Sequence, residues 1–556
     1  FMDKKTKFLS IFILFLGISG AFGQDIPRSQ SGLKYDLRYL EQTAEEHDFD
    51  VIHYEFDWNI DFDARSIQGK VIINGESSIQ GLNTITLNLA NTMTVAGVKQ
   101  DQHTLSFSHQ DNLLSIFFTK NYKKGESFKV EISYLGHPTS GLYYDYHGSA
   151  PIIYSLDEPS DARNWFPCYD HPSDKATADL NITVSSGMVA ASNGTLTEIK
   201  TNPDNTVTYT WQVSYPIATY LISVAATNYV TFSHTYDAGS EEMEVIYYVY
   251  PELLEHAKTD FANTVPQIEF YSEVFGEYPF LGEKYGMALI PGGTAMEHQT
   301  CTSFPARVIN GEQSYDWLIA HELAHQWWGD LVTLADWPEI WLNEGFATYS
   351  DALWWEHLYG MAGLKARMQD FRSILFERYS GPHHAIYDPP QGYLFSAIEY
   401  EKGAWVLHML RFVVGEDNFW KILETYAQRY AYDIVTTDDF KSVCEEIYEA
   451  DLDWFFDQWI YEPGYPRYEY SWGHSGSNTV RVIIKQTQEA YSLYSMPIEL
   501  QVVLPSGTVK RTVWVDERVN AYDLSFAEPP SDVLFDPDQW ILCFRGYFQK
   551  KGIKKR

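Results

Sequence analysis

Hydrophobic and polar residues alternate along the first part of the chain. Between positions 52 and 62 apolar side chains occupy every second position, and the same period of two returns over residues 128–134. This period is typical of half-buried β-strands, because successive side chains of a strand point to opposite faces. Strand-like composition, broken by clusters of Gly, Asn and Asp, continues to about residue 233. We therefore predict an N-terminal β-domain over residues 24–233.

The period changes in the middle of the chain. From about residue 250 apolar residues recur at spacings of three and four, most clearly over residues 317–328, 346–358 and 405–412. That spacing indicates helices with one buried face. We predict a mainly helical domain over residues 234–462.

Alternation returns after Pro463. Short apolar–polar repeats over residues 480–484, 498–504 and 513–515 predict a small C-terminal β-sandwich over residues 463–548. A short basic tail, residues 549–556, follows it. The fold class is thus multidomain α+β. Since no repeat or low-complexity linker separates the three parts, we expect them to pack tightly.

The first residues resemble an export signal. Residues 2–7 are basic, residues 8–16 are apolar, and small residues stand at positions 21 and 23. This pattern predicts a signal peptide over residues 1–23, cleaved before Gln24, and a secreted or periplasmic protein. A membrane anchor is the alternative, but the apolar stretch is shorter than the roughly 20 residues of a spanning helix. We expect no stable membrane insertion.

Charge and cysteine content narrow the function. The 556 residues include 75 acidic and 40 basic ones, for a formal net charge of −35. Such a surface repels phosphate backbones, so we expect no nucleic-acid partner. The 4 cysteines are widely spaced without a CxxC pair, which argues against a thiolate zinc site. Any metal is therefore expected on histidines and carboxylates, and no sequence feature indicates an oligomeric state.

The strongest chemical signal is the sequence HELAH at positions 321–325. His321 and His325 lie one helical turn apart, so both imidazoles can share one zinc ion while Glu322 projects beside them. A hydrolytic zinc site needs a third protein ligand and an open position for water. Glu344 lies in a second helical segment, 19 residues after His325, and supplies that ligand. We predict one Zn²⁺ per chain.

This arrangement implies a hydrolytic mechanism. Zinc lowers the pKa of bound water towards neutrality, and Glu322 is placed to accept the proton as general base. The tetrahedral intermediate needs a further donor for its oxyanion, but composition alone does not choose one among 40 tyrosines. Asp330, Asp336 and Glu339 are equally close candidates to orient the ligand histidines.

Several motifs together resemble one family. HELAHQWWGD followed by WLNEGFATYS is similar to the zinc aminopeptidases of the aminopeptidase N and leukotriene hydrolase family. Residues 293–298 resemble its GxMEN motif, residues 400–404 its YxKGA segment, and residues 158–168 its EPxxAR…FPC segment. The resemblance implies a saddle-like N-terminal β-sheet domain and a thermolysin-like catalytic domain. The family's helical fourth domain has no counterpart after Pro463, as in short three-domain bacterial members.

The resemblance also implies residue roles. Tyr400 would stabilise the oxyanion, and Glu297 and Glu158 would bind the substrate's N-terminal amine. Ala295 and Met296 would contact the substrate from the same motif. The expected partners are peptides with a free N-terminal amine, because an internal peptide bond offers no cation to offset the desolvation of two carboxylates. The expected activity is that of a zinc aminopeptidase.

The chain departs from the family's pattern at some positions. His298 stands where the family has Asn, which predicts an altered substrate grip or an added titratable group. Leu156 replaces a glutamine often found before the EP segment.

A thermolysin-type endopeptidase shares the zinc motif, and a non-catalytic scaffold of the same fold is the alternative outside enzymes. His383 and His384 suggest a second metal site less strongly than a solvated loop.

Overall fold

The computed structural model describes residues 47–239 and 241–547. The predicted signal peptide and basic tail lie outside these residues. Strands dominate up to residue 249, helices dominate the middle, and strands return after residue 466. The predicted α+β architecture is confirmed. Among the described residues, no helix combines the length and apolar character needed to cross a membrane.

The N-terminal region is built on an eight-stranded sheet with the order β13-β14-β11-β1-β2-β8-β4-β5. A four-stranded sheet, β12-β15-β10-β9, and a three-stranded sheet, β3-β7-β6, complete it. The strands are β1 Phe49–Asp61, β2 Ser66–Ser77, β3 Leu82–Asn88, β4 Met93–Gln100, β5 His103–Thr104, β6 Ser106–Gln110, β7 Leu113–Tyr122, β8 Ser127–Gly136, β9 Gly141–His147, β10 Ala150–Leu156, β11 Lys175–Ser185, β12 Val189–Ser192, β13 Thr195–Thr201, β14 Thr206–Ala218 and β15 Val224–Thr227.

Strand β1 buries the residues that the alternating pattern predicts, except at one position. Its pairing with β2 shifts register between Val51 and His53. At this bulge Ile52 turns outward and is 50% exposed, although the alternation places it with the buried residues. Beyond the bulge the predicted face is buried, because each later apolar residue returns to the inner side.

The middle region combines helices with a sheet that the sequence pattern does not reveal. Strands β16 Val230–Asp237, β17 Glu242–Val249, β18 Tyr285–Ile290 and β19 Cys301–Pro305 form one four-stranded sheet, and β20 Thr333–Leu334 pairs with β21 Ile434–Val435. The helices are α1 Leu254–Asp260, α2 Thr264–Phe275, α3 Asp316–Ala324, α4 Trp341–Tyr359, α5 Met361–Ser373, α6 Gly403–Val414, α7 Glu416–Arg429, α8 Thr437–Tyr448 and α9 Asp453–Phe456. The predicted helical segments 346–358 and 405–412 lie entirely within α4 and α6, whereas the segment predicted over 317–328 is helical only up to Ala324, where α3 ends.

Two facing sheets form the C-terminal region. One has the order β26-β23-β22-β28 and the other β25-β24-β27. Tyr468 of the first contacts Phe535 of the second, with ring centroids 5.5 Å apart. The strands are β22 Arg467–His474, β23 Thr479–Gln486, β24 Met496–Leu504, β25 Gly507–Val515, β26 Val519–Ser525, β27 Asp532–Phe535 and β28 Phe544–Tyr547.

A continuous apolar core joins the three regions. Around α3 and α4 it consists largely of aromatic side chains. The buried tryptophans there are Trp327, Trp328, Trp337, Trp341 and Trp354. Residues 318–324 of α3 and 341–354 of α4 are all buried.

Candidate metal centre and active site

Two helix ends bring the predicted metal ligands together. His321 lies in the last turn of α3, and His325 directly follows that helix. Glu344 lies in the first turn of α4, where the helix dipole favours a carboxylate. All three side chains are buried.

The three ligand atoms form a nearly equilateral triangle. His325 Nε2 lies 3.2 Å from His321 Nε2. Glu344 Oε2 lies 3.3 Å from His321 Nε2 and 3.4 Å from His325 Nε2. Tetrahedral zinc with bonds of about 2.0–2.1 Å places neighbouring ligand atoms roughly 3.3 Å apart. The donor set and its spacing therefore fit Zn²⁺, with a fourth position left for water or substrate.

A backbone carbonyl orients one of the histidines. His325 Nδ1 lies 2.9 Å from the carbonyl oxygen of Trp328, which leaves Nε2 for the metal. None of the three carboxylates considered from the sequence makes this contact. Asp330 accepts from Gln326 Nε2, Asp336 accepts from the Trp337 N–H, and Glu339 accepts from Thr437.

Tyr400 lies directly against the metal ligands. It sits in a π-helical turn, Ile398–Lys402, that leads into α6. Its hydroxyl donates to Glu344 Oε1 at 2.6 Å, and its ring is nearly parallel to that of His321 at 6.0 Å. Burial and the nearby Glu344 carboxylate raise the pKa of Tyr400 well above its usual value, so it keeps its proton. The phenol is thus available as a hydrogen-bond donor.

Two carboxylates, the half-buried Glu158 and the buried Glu297, approach the same site from different regions. Glu158 follows β10 of the N-terminal region, and Glu297 lies between β18 and β19. The Oε1 atom of each is buried without a hydrogen-bond partner in the described part of the chain. Burial and the neighbouring Glu297 raise the pKa of Glu158 well above normal, and burial also raises that of Glu297. A bound cation would stabilise two carboxylates in this environment.

The remaining predicted residues surround these groups. Glu322 is buried on α3, near enough for its charge to raise the pKa of Glu158. Met296 exchanges two backbone hydrogen bonds of 2.9 Å with Ser303, so its peptide groups are already used. Ala295 precedes this pair and is half-buried.

The structure answers the question raised by His298. Burial lowers the pKa of His298 to about 3, so the ring is neutral near pH 7. Its Nδ1 lies 3.0 Å from Ser303 Oγ. His298 therefore adds no titratable group near neutral pH. Through Ser303 it contacts β19, the strand that follows the segment carrying Glu297.

The His383–His384 segment is a loop, but it is not solvated as expected. The side chain of His384 is only 10% exposed, and its Nδ1 contacts the Ala385 carbonyl oxygen at 2.7 Å. Within the described chain, neither histidine belongs to a cluster of three metal-ligating groups.

Several buried polar residues that support the site escape sequence reasoning. Asn343 donates to the hydroxyl of Tyr220, which comes from the N-terminal region, at 3.2 Å. Lys175 reaches across from β11 to the carbonyl oxygens of Asp330 and Leu331 at 2.7 and 3.1 Å. Gln326 contacts both Glu297 and Asp330. The one signal available is that Gln326 and Asn343 are polar residues directly next to the metal ligands His325 and Glu344 in the sequence.

A His₂Glu zinc centre with an adjacent glutamate and a facing tyrosine defines a zinc metallopeptidase-type site. The peptidase M1 N-terminal domain model matches residues 51–221, and the peptidase family M1 domain model matches residues 259–459. The chain belongs to peptidase family M1, and the cofactor of its site is zinc.

Known relatives agree with this assignment. The leucyl aminopeptidase of Saccharolobus solfataricus is 26% identical over 81% of this chain and 58% of its own length. Aminopeptidase M1-D of Oryza sativa subsp. japonica is 30% identical over 65% of this chain and 44% of its own. The chain therefore spans about half the length of these relatives.

Solved structures show the same fold. An M1 zinc metallopeptidase from Deinococcus radiodurans is 25% identical with a TM-score of 0.65, covering 74% of this chain and 94% of that one. Aminopeptidase A of Legionella pneumophila, in complex with aspartic acid, has a TM-score of 0.80 at 20% identity, covering 92% of this chain and 61% of that one. At that identity the second likeness concerns the fold alone.

Proposed function

We propose that the protein is a zinc-dependent aminopeptidase that removes N-terminal residues from peptides. The observation that carries the proposal is the pair of carboxylates, Glu158 and Glu297, whose Oε1 atoms are buried without a partner in the described residues, beside the metal ligands. A protonated α-amine supplies the cation that these groups lack and forms charge-assisted hydrogen bonds with them. The aminopeptidase relatives support this reading, and so does a variant of the D. radiodurans enzyme solved with a Tyr-Ser-Ala substrate.

Each site residue has a part in the reaction. Zinc held by His321, His325 and Glu344 would supply Lewis acidity for the substrate carbonyl and for a water molecule. Glu322 accepts the proton of the attacking water and passes it to the departing amine. Tyr400 turns its hydroxyl from Glu344 to the developing oxyanion. Glu158 and Glu297 hold the α-amine, which places the first peptide bond at the reacting centre.

The thermolysin-type endopeptidase is less well supported. An internal peptide segment brings no cation to the site, so binding it would leave two carboxylates buried and uncompensated. A non-catalytic scaffold has no need of the convergent His321, His325 and Glu344 atoms.

Substrate panels test the proposal. Amino-acid 4-nitroanilides are compared with their N-acetylated counterparts, with and without a zinc chelator. We expect cleavage of the free-amine series alone, abolished by chelation. Glu297→Gln should lose most of this activity, whereas Glu312→Gln, an exposed glutamate nearby, should retain it. Cleavage of blocked substrates would instead identify an endopeptidase.

We also propose that the protein is exported. The basic, apolar and small-residue pattern of residues 1–23 supports this. N-terminal sequencing of the mature protein should begin at Gln24. An intact first segment in the mature protein would contradict export by cleavage.

A further inference from the structure

Glu297 lies on a tight turn of chain between two strands. Met296 and Ser303 close this turn by exchanging two backbone hydrogen bonds, and Thr300 takes a left-handed conformation within it, with φ of 60°. We call residues 296–303 the amine turn. Glu297 Oε1 has no hydrogen-bond partner within the described residues, so the position of this atom depends on the backbone of the amine turn.

Gln326 binds the amine turn through hydrogen bonds from the side of the zinc ligands. It directly follows His325 and is fully buried. Its Nε2 donates to the Glu297 carbonyl oxygen at 3.2 Å, and its Oε1 accepts from the Thr300 N–H at 2.9 Å. The amide therefore binds the turn at two points, one of them the peptide group of Glu297 itself.

The Gln326 amide is in turn held in place. Its second N–H donates to Asp330 Oδ2 at 2.8 Å. The Tyr278 hydroxyl lies 3.2 Å from its Oε1. Both hydrogens and the oxygen of the amide thus have partners, so a rotation of the side chain would break several buried hydrogen bonds at once.

The opposite side of the amine turn is held by the N-terminal region. Asn193 donates to the Gln299 carbonyl oxygen at 2.6 Å, and the Gly194 N–H donates to Thr300 Oγ1 at 2.8 Å. These contacts fix the turn against the neighbouring sheet. They do not tie it to the segment of the histidine ligands, which is what Gln326 does.

We propose that Gln326 is a positioning residue that sets the distance between the amine-binding carboxylate of Glu297 and the zinc-binding His325. This inference rests on the proposed aminopeptidase function. Amine recognition and bond cleavage must be matched in distance, and a misplacement of about 1 Å is enough to cost about a hundredfold in rate. Gln326 fixes this distance because it directly follows His325 in the chain and donates to the backbone carbonyl oxygen of Glu297.

Three variants of the full-length, zinc-loaded protein test the proposal. Gln326→Met keeps the length and burial of the side chain but removes its amide. Gln326→Glu keeps the shape and the acceptor for Thr300, yet places an acceptor oxygen against the Glu297 carbonyl. Gln458→Met is the matched control, because the Gln458 amide also binds a loop at two points, donating to the Ser495 carbonyl oxygen at 2.9 Å and accepting from the Ser495 N–H at 2.8 Å, but it does so next to β24 and not at the amine turn.

The measurement is calorimetric binding of two hydroxamates that differ only in the α-amine, leucine hydroxamic acid and 4-methylpentanohydroxamic acid. In the wild type we expect the amine-bearing compound to bind at least about tenfold more tightly, as one charge-assisted hydrogen bond implies. Gln326→Met should reduce this ratio by about fivefold or more, with zinc content unchanged and the affinity for the amine-free compound within about twofold. Gln458→Met should keep the wild-type ratio.

Each contrary outcome has its own meaning. A wild-type ratio near one overturns the amine recognition itself, and with it this role of Gln326. A high wild-type ratio that persists in Gln326→Met leaves the aminopeptidase standing and overturns the positioning role. If Gln326→Met loses zinc, zinc content and the ratio of the two affinities are measured in Gln326→Glu instead. If that variant loses zinc too, Gln326 supports the metal and not the turn, which overturns the inference.

Discussion

Gly345 and Gly403 bring two helices of the active site into backbone contact. A Cβ atom at Gly403 would lie 2.9 Å from the Cα of Gly345, and one at Gly345 would lie 3.0 Å from the Cα of Gly403. Gly345 follows Glu344 in α4, and Gly403 follows the π-helical turn that carries Tyr400. The close approach therefore allows the Tyr400 hydroxyl to reach Glu344.

Gly403→Ala should separate these helices and weaken catalysis. The added methyl group meets backbone atoms that cannot rotate away, and such overpacking costs about 1–3 kcal/mol. We expect a lower melting temperature and a kcat reduced by about tenfold or more, with zinc still bound. Thermal unfolding, metal analysis and steady-state kinetics check this. Gly473→Ala is the control, since nothing lies within 4 Å of the added Cβ; equal effects of the two variants would contradict the argument.

Glu322 and His325 should separate catalysis from metal binding. Glu322→Gln keeps the side-chain volume but removes the proton acceptor, so zinc should stay while kcat falls by at least about a hundredfold. His325→Ala removes one corner of the ligand triangle and should lose both zinc and activity. Zinc content per chain and turnover of a free-amine substrate, measured on the same samples, distinguish the two. Full turnover in Glu322→Gln would rule out its role as the base.

Tyr400→Phe should affect the reaction and not the ground state. The phenol donates to Glu344 in the described structure and to the oxyanion only during reaction, so its loss should lower kcat by about a hundredfold to a thousandfold. KM should change little, because the ring still packs beside His321. Initial rates over a range of substrate concentrations show the split. A raised KM at constant kcat would assign Tyr400 to substrate binding instead.

Sequence reasoning reached the parts of the molecule that depend on local periodicity. The strands around residues 52–62 and the helices carrying His321 and Glu344 follow from spacings of two and of three to four residues. The buried strands β18 and β19 were missed because neither alternates: β18 is almost continuously apolar, and β19 includes the buried hydroxyl residues Thr302 and Ser303. Ile52 was misplaced because a bulge is not encoded in the alternation.

The same distinction between local pattern and tertiary packing applies to the candidate site. The ligand triangle follows from HELAH and a glutamate in the next helix, and Tyr400, Glu297 and Glu158 were located by motif resemblance. The supporting contacts of Gln326, Lys175 and Tyr220 join segments far apart in the chain. Such contacts depend on tertiary packing, and no local pattern reports them.

Glu339 should make stability depend on pH in a defined direction. Burial raises the pKa of Glu339 from 4.5 to about 7. Its Oε2 accepts hydrogen bonds from the N–H and the hydroxyl of Thr437 at the start of α8. Between pH 4.5 and 7 the folded protein holds a proton that the unfolded chain has released. The stabilisation from this group is therefore complete below about pH 4.5 and is lost as the pH rises to about 7.

Glu339→Gln should remove that loss. Glutamine stays neutral at every pH and can still accept from Thr437 through its amide oxygen. Relative to wild type, the variant should gain about 1–3 kcal/mol in the free energy of unfolding as the pH rises from 4.5 to 8. Denaturant unfolding of both proteins at several pH values measures the difference, with Glu424→Gln, an exposed glutamate on α7, as control. A constant difference between Glu339→Gln and wild type across this range would show that Glu339 does not titrate there.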